Sequence, residues 1–592
     1  MQNAETVLGI LRDRGRRGLP LTKVYRQLFN PHLYLLALGR LYSNHGAMTP
    51  GVDGETVDGT SLARIERIID ALRHERYRFQ PAQRVYIPKR NGKPRPLGLP
   101  SWTDKLVGEV MGLLLEAYYE PQFSDQSHGF RPRRGCHTAL REVTRTWTGT
   151  TWFIEGDIAD CFGTLDHEIM LSILSEKIHD NRLLRLLRHM LQAVYLEDWE
   201  YKPTLSGTPQ GGMVSPILSN IYLDRMDKFV ESVLITEHTR GQVRAKNPAY
   251  RRVESALRRA RHHNDNDAVR ELRKQLHSLP SMDPHDPGYR RLRYVRYADD
   301  TLLGFTGPKA EAEQIKERLT AFLRDDLKLE LSQDKTLITH ARTQAAAFLG
   351  YEITVLHNDR KVTRGYRRAN GTVALRVPKS VIRAKSTPYL TRGKPAHRPE
   401  LIDRDDHAIV SIYSATYRGI VQYYLLAGDV WRLNRLEWVM KTSMLKTLAA
   451  RHRSTVTKMA TKYKATIATP AGPRRCFEVS VPRNGRKPLV ARFGGIPLRS
   501  NKGAVINDRP TAPTRLRQTE LVTRLLTGRC ELCEQPAEVE VHQVRTLADL
   551  TTPGQQPAWA RNMAAKRRKT LLVCAPCHDT IHARQPRAAP TQ

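Results

Sequence analysis

Short apolar runs in the middle of the chain predict a small sheet whose turns carry charged residues. Trp152–Asp157 reads as a strand that ends in an acid. Leu292–Phe305 reads as strand, turn and strand, with apolar residues on both sides of Ala298-Asp-Asp300. Val85–Pro88, followed by Asn91-Gly92, is typical of a β-hairpin. Two of these segments therefore present acids at their ends.

Helical patterns flank this sheet. Residues 1–80 predict helices joined by a Gly/Pro-bearing turn, and residues 403–464 repeat apolar positions every three or four residues, as a helical bundle does. The polar, Arg-rich block at 236–290 has helical periodicity and predicts an insertion. A solvated helical pair and an RNA-contacting pair are both open interpretations of it. Residues 465–515, rich in Pro, Gly and Arg, predict a basic, loop-rich connector.

The charge balance is the most unusual feature of the composition. The 592 residues contain 96 Lys and Arg against 60 Asp and Glu, a formal net charge of +36. Such an excess destabilises a compact chain by self-repulsion unless a polyanion neutralises it, so nucleic acid is the expected partner. The length predicts several domains. The start of the chain is charged, and the apolar stretch near Leu33–Leu41 is too short for a bilayer, which predicts a soluble, cytoplasmic, nucleoid-associated protein.

The acids at the predicted strand ends suit metal-dependent nucleotidyl transfer. Two adjacent acids at a hairpin tip, Asp299 and Asp300, with Asp157 on a neighbouring strand, would hold two Mg²⁺ ions a few ångströms apart. An Asp-Asp pair alone is commonly a surface turn. The basic hairpin that contains Lys89 and Arg95 is suited to gripping a triphosphate.

The order of motifs resembles that of reverse transcriptases, most closely the bacterial group II intron-encoded proteins. The motifs are His128-Gly-Phe-Arg-Pro132, Glu155-Gly-Asp-Ile158, Gly207-Thr-Pro-Gln-Gly-Gly212, Tyr297-Ala-Asp-Asp300, Leu331-Ser-Gln-Asp-Lys-Thr336 and Phe348-Leu-Gly350. The resemblance extends from about Tyr25 to His582. It implies a right-hand polymerase with fingers and an antiparallel palm sheet, followed by an α-helical thumb.

The resemblance also implies roles for single residues. Asp157, Asp299 and Asp300 would bind Mg²⁺. The deoxynucleoside triphosphate would contact Lys89, Arg95, Phe162 and Gln210, with Phe162 as the sugar gate. Lys335 would donate a proton to pyrophosphate, and Phe348–Gly350 would be the primer grip. The helical region would be the thumb, or maturase domain X, and would grip intron RNA with basic residues such as Lys441, Lys446, Arg451, Arg453 and Lys458.

Two Cys-x-x-Cys pairs near the end predict a structural zinc site. The ligands would be Cys530, Cys533, Cys574 and Cys577. With His542, His578 and His582 this segment resembles an HNH nuclease, a ββα-metal module in which the histidines would hold one divalent metal. Family members usually have two adjacent histidines where this chain has His542-Gln543. Since glutamine cannot act as a base near neutral pH, either cleavage is impaired or His542 takes the role of base.

The resulting expectation is a multidomain α+β protein with five parts. They are an N-terminal helical extension of the fingers (1–80), fingers and palm (81–375), thumb (376–465), basic DNA-binding connector (466–518) and zinc-containing HNH module (519–592). Group II intron RNA, target DNA and deoxynucleotides are the expected partners, without a membrane; a homodimer stays open. The competing hypotheses are a splicing-only maturase, a retron- or CRISPR-associated reverse transcriptase, and a plain DNA-binding nuclease.

Overall fold

A computed structural model describes most of the chain. The described residues are 2–88, 94–193, 195–197, 200–202, 212–358, 369–470, 472–483, 486–506, 520–545, 550, 556–566 and 568–583. Several side chains at the edges of these ranges, including that of Arg95, also lie outside the description.

The helices are α1 Ala4–Arg16, α2 Pro31–Leu41, α3 Leu62–Arg73, α4 Trp102–Tyr119, α5 Cys136–Thr146, α6 Cys161–Thr164, α7 His167–Ser175, α8 Asn181–Leu191, α9 Ser215–Phe229, α10 Ile235–Glu237, α11 Pro248–His262, α12 Asn266–Ser278, α13 Lys309–Leu327, α14 Lys379–Ser386, α15 Asp406–Tyr423, α16 Asn434–Arg451, α17 Val456–Tyr463, α18 Glu520–Leu526, α19 Ala558–Lys566 and α20 Ala575–Ala583. The strands are β1 Leu21–Thr22, β2 Thr60–Ser61, β3 Ala82–Pro88, β4 Pro94–Leu99, β5 Trp152–Asp157, β6 Ile178–His179, β7 Tyr195–Glu197, β8 Glu200–Lys202, β9 Arg291–Tyr297, β10 Asp300–Thr306, β11 Ile338–His340, β12 Ala346–Phe348, β13 Tyr351–Val355, β14 Val373–Arg376, β15 Leu390–Thr391, β16 Lys394–Pro395, β17 Lys464–Thr469, β18 Gly472–Arg483, β19 Arg486–Gly494, β20 Glu540–Gln543 and β21 Thr570–Val573.

The N-terminal helices begin where the sequence provides caps. The side chain of Asn3 accepts a hydrogen bond from Glu5 N at the start of α1, and Asn30 does the same for His32 N, with Pro31 opening α2. The predicted hairpin is confirmed as β3 and β4, which pair antiparallel. The turn between them, at Asn91-Gly92, lies outside the described residues.

The expected palm sheet is a four-stranded antiparallel sheet in the order β11-β5-β10-β9. The predicted strand at Trp152–Asp157 and the predicted strand pair at Leu292–Phe305 are both confirmed. The inward faces of these strands pack on α4, α9 and α13 in one large buried cluster, so the sheet is a rigid base for the residues at its edge. The 236–290 block contains the two helices α11 and α12, of which only Leu257 is buried, as solvated helices require.

The predicted helical character of residues 403–464 is confirmed by α15, α16 and α17, which bury a second apolar cluster. The prediction of a loop-rich connector at residues 465–515 is wrong over the first half of this range. Residues 464–494 form a three-stranded antiparallel sheet, β17-β18-β19. The strands form because Val479, Ala491 and Phe493 supply one apolar face, and the ring of Phe493 packs 5.6 Å from that of Tyr417 in α15.

In its described residues, the C-terminal module contains α18, β20, α19, β21 and α20. Its two strands pair antiparallel, and α20 presents His578 and His582 one turn apart, as expected. Strand β2 of the N-terminal extension joins the same sheet, in the order β2-β20-β21, so the N-terminal extension contacts the C-terminal module. Among the residues that the structure describes, no helix combines the length and apolar character needed to cross a membrane.

Candidate functional sites

The three acids singled out from the sequence lie together at the end of the palm sheet. Asp157 is the last residue of β5 and Asp300 the first of β10, and the two are direct cross-strand partners. Such partners have Cβ atoms about 4.5–5.5 Å apart on one face. Asp299 lies in the two-residue turn between β9 and β10, where Tyr297 pairs with Asp300.

A buried arginine fixes the shape of this turn. Ala298 has φ +55°, which is unusual for a residue with a Cβ. Arg296 Nη1 donates to the Ala298 carbonyl at 2.9 Å, while its Nε and Nη2 donate to Asp227 at 2.7 and 2.6 Å. Both charged side chains are fully buried. The turn is therefore supported from inside the protein by a paired charge.

Gly129 lets the backbone approach the turn from the other side. A Cβ at this position would lie 2.3 Å from the backbone nitrogen of Ala298, so any side chain here would force the two backbone segments apart. The amide of Asn220 donates to the Gly129 carbonyl at 3.0 Å. Gly129 contacts this turn and Asp227 contacts Arg296 from distant positions in the chain, and Arg296 is a strand residue two positions before Ala298, so no local pattern marks them as site residues.

The electrostatics of the acid cluster favour a cation. Burial, followed by the charges of Asp299 and Asp157, raises the pKa of Asp300 to about 7. Lys335 Nζ donates to Asp157 Oδ2 at 2.8 Å, and this bond raises the pKa of the lysine. Carboxylate oxygens that repel each other and already hold one ammonium are a suitable donor set for Mg²⁺. The residues present thus fit the expected metal.

The other predicted nucleotide contacts are only partly described. Phe162 lies half-buried in α6, five residues beyond Asp157, with its ring 6.1 Å from that of Phe130 in an edge-on contact. Lys89 and Gln210 lie outside the described residues, and only the backbone of Arg95 is described, paired with Ile87.

The expected primer-grip segment forms a hairpin that is held by the thumb. Leu349 and Gly350 occupy the turn between β12 and β13, both with positive φ. Tyr423 Oη donates to the Leu349 carbonyl at 2.7 Å, and Tyr424 Oη donates to the Gly350 carbonyl at 3.0 Å. These tyrosines connect the end of α15 to the β12–β13 hairpin.

The four cysteines of the C-terminal module converge. All four sulfur atoms lie within 4.8 Å of one another, and Cys533 Sγ is 3.8 Å from Cys574 Sγ. A tetrahedral Zn²⁺ with bonds of about 2.3 Å has sulfur–sulfur edges of about 3.8 Å. Burial opposes ionisation of Cys530, but hydrogen bonds from backbone N–H groups, with that of Cys533 foremost, lower its pKa to about 6. The cluster is compatible with zinc.

The three histidines also converge, and an unexpected acid completes their cluster. His578 Nε2 is 3.3 Å from His542 Nδ1 and 3.0 Å from His582 Nε2. Asp58, from the N-terminal extension, places its carboxylate 3.2 Å from His542 and 2.8 Å from His582. In the sequence, Val57-Asp58-Gly59 looks like any polar turn, so nothing marks Asp58 as part of this site.

Carboxylates hold the cluster in place. Glu540 Oε1 accepts from His578 Nδ1 at 2.6 Å, which fixes the ring with Nε2 facing the other histidines. Burial lowers the pKa of His578, but Asp58 and Glu540 outweigh it and raise the pKa overall. Although burial alone would raise the pKa of Asp58, hydrogen bonds from the histidines hold it well below its usual range.

Gln543 does not point into the histidine cluster. Its backbone N–H donates to Asp58 Oδ1 at 2.8 Å, and its side-chain Nε2 donates to the Tyr42 carbonyl at 3.1 Å. The residue that stands where a general base is usual therefore connects the module to the N-terminal extension.

Three families match successive parts of the chain. Residues 87–243 match reverse transcriptase (RNA-dependent DNA polymerase), residues 375–472 match type II intron maturase, and residues 530–578 match the AI2M/AI1M-like HNH endonucleases. The chain is 38% identical to the group II intron-encoded protein LtrA of Lactococcus lactis subsp. cremoris over 95% of each chain. It is 30% identical to the putative COX1/OXI3 intron 1 protein of Saccharomyces cerevisiae, over 93% of this chain and 68% of the relative.

Among solved structures, a telomerase from Candida albicans in complex with a fragment of telomeric RNA is similar over 65% of this chain and 62% of that chain, at 13% identity and a TM-score of 0.32. The three matched families follow one another along the chain in the order reverse transcriptase, maturase and HNH endonuclease. The chain belongs to the group II intron-encoded proteins and is a reverse transcriptase and maturase with an HNH-like C-terminal domain.

Proposed function

We propose that this protein binds the RNA of its own group II intron, promotes splicing of that RNA, and copies it into DNA from a primer at a nicked target site. The observation that carries the polymerase part is the pairing of Asp157 with Asp300 beside Asp299 at one edge of the palm sheet. The likeness to LtrA, over nearly the whole of both chains, supports the intron RNA as the partner.

In the palm, Asp157, Asp299 and Asp300 would hold two Mg²⁺ ions. Bound there, the ions would activate the primer 3′-hydroxyl and stabilise the leaving pyrophosphate. Phe162 would exclude the ribose 2′-hydroxyl, and Lys89, Arg95 and Gln210 would grip the triphosphate and template. Arg296 and Gly129 would keep the acidic turn in place during the reaction, since both contact Ala298.

Lys335 would move from Asp157 to the leaving pyrophosphate. Its side chain is 66% exposed, so it is able to turn toward a substrate. As a general acid it would hold its proton until the phosphate bond breaks. Lys335→Ala is expected to lower kcat about 10²-fold or more with a smaller change in KM. Lys335→Arg keeps the positive charge, but a guanidinium does not release its proton near neutral pH. Wild-type activity of Lys335→Arg would therefore argue against proton donation.

The thumb would contact intron RNA with only some of its basic residues. Lys446 Nζ donates to the Pro395 carbonyl at 2.7 Å, and Arg451 donates to the Ile402 carbonyl at 2.9 Å, so both support the thumb itself. Lys441 and Lys458 are the better candidates for phosphate contacts. A splicing-only maturase is disfavoured because such a protein has no need of a supported acid cluster in the palm.

The C-terminal module would bind Zn²⁺ with its four cysteines and target DNA beside its histidines. We retain the five-part division at residues 80, 375, 465 and 518, with the β17-β18-β19 sheet as the first part of the DNA-binding connector. In this division the nuclease metal would be held by His542, His578 and His582. Because Gln543 faces Tyr42, a water molecule or His542 would have to accept the proton during cleavage.

A nicking assay tests the nuclease. The protein is assembled with its intron RNA and given end-labelled target DNA and Mg²⁺, with His582→Ala as the comparison. A nick in one strand that is absent with His582→Ala supports a working nuclease. An uncut target alongside normal DNA synthesis would mean that the module only binds DNA and that the primer comes from elsewhere.

A further inference from the structure

The N-terminal extension inserts a carboxylate into the histidine cluster of the C-terminal module. Asp58 Oδ1 is 3.2 Å from His542 Nδ1, and Oδ2 is 3.2 Å from His578 Nε2 and 2.8 Å from His582 Nε2. Asp58 and His582 are 524 positions apart in the chain. All four potential ligand atoms lie within 4.8 Å of one another.

The spacing of these atoms is that of a coordination shell. Metal–nitrogen and metal–oxygen bonds of about 2.0–2.1 Å give a tetrahedron with edges of about 3.3 Å. Asp58 Oδ1 lies 3.2 Å from His542 Nδ1, and its Oδ2 lies 3.2 and 2.8 Å from the Nε2 atoms of His578 and His582. His578 Nε2 lies 3.3 and 3.0 Å from the ring nitrogens of His542 and His582, so these distances are near that edge. The same donor set, three imidazoles and one carboxylate, suits Zn²⁺, Co²⁺ or a similar borderline cation.

Asp58 is held there by the backbone on either side of it. Gly59 N donates to the Val541 carbonyl at 2.8 Å, and β2 pairs with β20 through Thr60 and Ser61. Thr60 Oγ1 accepts from the indole of Trp102 at 2.8 Å, which ties this strand to α4. The carboxylate of Asp58 therefore reaches the cluster from a segment of the N-terminal extension that strand β2 fixes in place.

We propose that Asp58 is the fourth protein ligand of the histidine metal site, so that one ion links the N-terminal extension to the C-terminal module. The inference rests on the proposed metal at His542, His578 and His582 and adds a ligand that lies outside the HNH module. Four protein ligands close a tetrahedral site. A scissile phosphate then reaches the ion only when Asp58 moves away or the coordination shell expands, which couples target binding to the contact between the two ends of the chain.

Metal titration tests the proposal. The full-length protein is first given one equivalent of Zn²⁺ to fill the cysteine site and is then titrated with Co²⁺, whose visible absorption reports the ligands. Wild-type protein is expected to take up one further equivalent with the intense bands of a four-coordinate site. Asp58→Asn is the informative variant, because its amide oxygen still accepts from Gln543 N but no longer provides an anionic ligand. It is expected to weaken Co²⁺ binding at least about tenfold and to change the spectrum.

Two comparisons separate the possible failures. Asp53→Asn changes an exposed aspartate five residues before Asp58, whose carboxylate accepts from Glu55 N, and should bind Co²⁺ as the wild type does. His582→Ala should lose the second equivalent. If His582→Ala still binds it, the histidine site itself is wrong. If His582→Ala loses it while Asp58→Asn keeps wild-type affinity and spectrum, only the assignment of Asp58 is overturned.

Hydrogen exchange provides a readout that does not depend on the spectrum. The metal should slow exchange of the Gly59 and Gln543 amides in the wild type, because it pins the strand contact that these amides make. In Asp58→Asn the same amides should exchange at a rate that the metal leaves unchanged. Equal protection by metal in both proteins would overturn the link between the two ends of the chain.

Discussion

Removal of Asp227 tests the idea that a buried ion pair supports the acidic turn. Asp227 accepts two hydrogen bonds from Arg296 and one from Tyr294, and both charged side chains have no exposed surface. Asp227→Leu leaves the guanidinium charged and unpaired, which costs about 3–5 kcal/mol. The other bonds of the arginine, to Asn220, Ser127 and the Ala298 carbonyl, are with neutral acceptors and do not replace the lost charge.

The double variant Asp227→Leu/Arg296→Met separates stability from positioning. With both charges gone there is no unpaired ion, so most of the lost stability should return. The Ala298 carbonyl would still lack its donor, so DNA synthesis should stay well below the wild-type rate. As a comparison, Lys309→Ala breaks an exposed ion pair with Glu313 in α13 and should cost only about 0.3–0.5 kcal/mol.

Native-state hydrogen exchange of amides in β9 and β10 is the suitable assay, because it reports the local opening free energy in a multidomain protein. Primer extension on an RNA template gives the activity. A cost below about 1 kcal/mol for Asp227→Leu would contradict the reasoning on the ion pair. Full activity of the double variant would contradict the role of Arg296 in holding the turn.

Three further predictions concern other contacts of the fold. Gly129→Ala should destabilise the fold by about 1–3 kcal/mol and reduce DNA synthesis sharply, because the added Cβ would collide with the Ala298 backbone. The control is Gly9→Ala, whose Cβ would meet nothing within 4 Å, and an active Gly129→Ala enzyme would contradict the contact. Tyr423→Phe removes the donor to the Leu349 carbonyl and should cost about 0.5–1.5 kcal/mol and shorten the products of a single primer-binding event. The control is Tyr250→Phe in α11, and equal product lengths for the two variants would argue against a thumb-held primer grip. Burial raises the pKa of Asp104 from 3.8 to about 6, so the folded protein holds this proton more tightly than the unfolded chain does. The stability that the group contributes below pH 4 is therefore lost as the pH rises through 6. Hydrogen exchange of α4 amides between pH 4 and 7 should show this loss of stability, and Asp104→Asn should abolish the pH dependence.

The parts of the fold that local patterns encode could be predicted from the sequence. The strand at Trp152–Asp157, the turn at Ala298-Asp299 and the helical pair at 248–278 each follow from periodicity within a few residues. The acid cluster was within reach because its members terminate such strands. Its register, with Asp300 opposite Asp157, required the sheet itself.

The errors and omissions have a common physical cause, which is contact over long distances in the chain. The sequence at 464–494 predicts loops because Pro473, Pro482 and several glycines and arginines mask a period-two pattern. The apolar face of this sheet packs against α15, a contact that only the fold reveals. Asp58 carries no local signal, since its partners lie some 480–520 residues away. Gly129 belongs to one of the motifs that carry the family resemblance, but its contact with Ala298 across the fold required the structure.

DNA synthesis by Asp299→Ala on a primed RNA template is the most direct test of the central claim. Asp325→Ala, which changes an exposed aspartate of α13 paired with its neighbour Arg324, is the matched control and should extend the primer at the wild-type rate. Asp299→Ala is expected to bind the template and primer normally and to make no detectable DNA. Primer extension retained by Asp299→Ala would contradict the assignment of the palm acids and with it the proposed polymerase site.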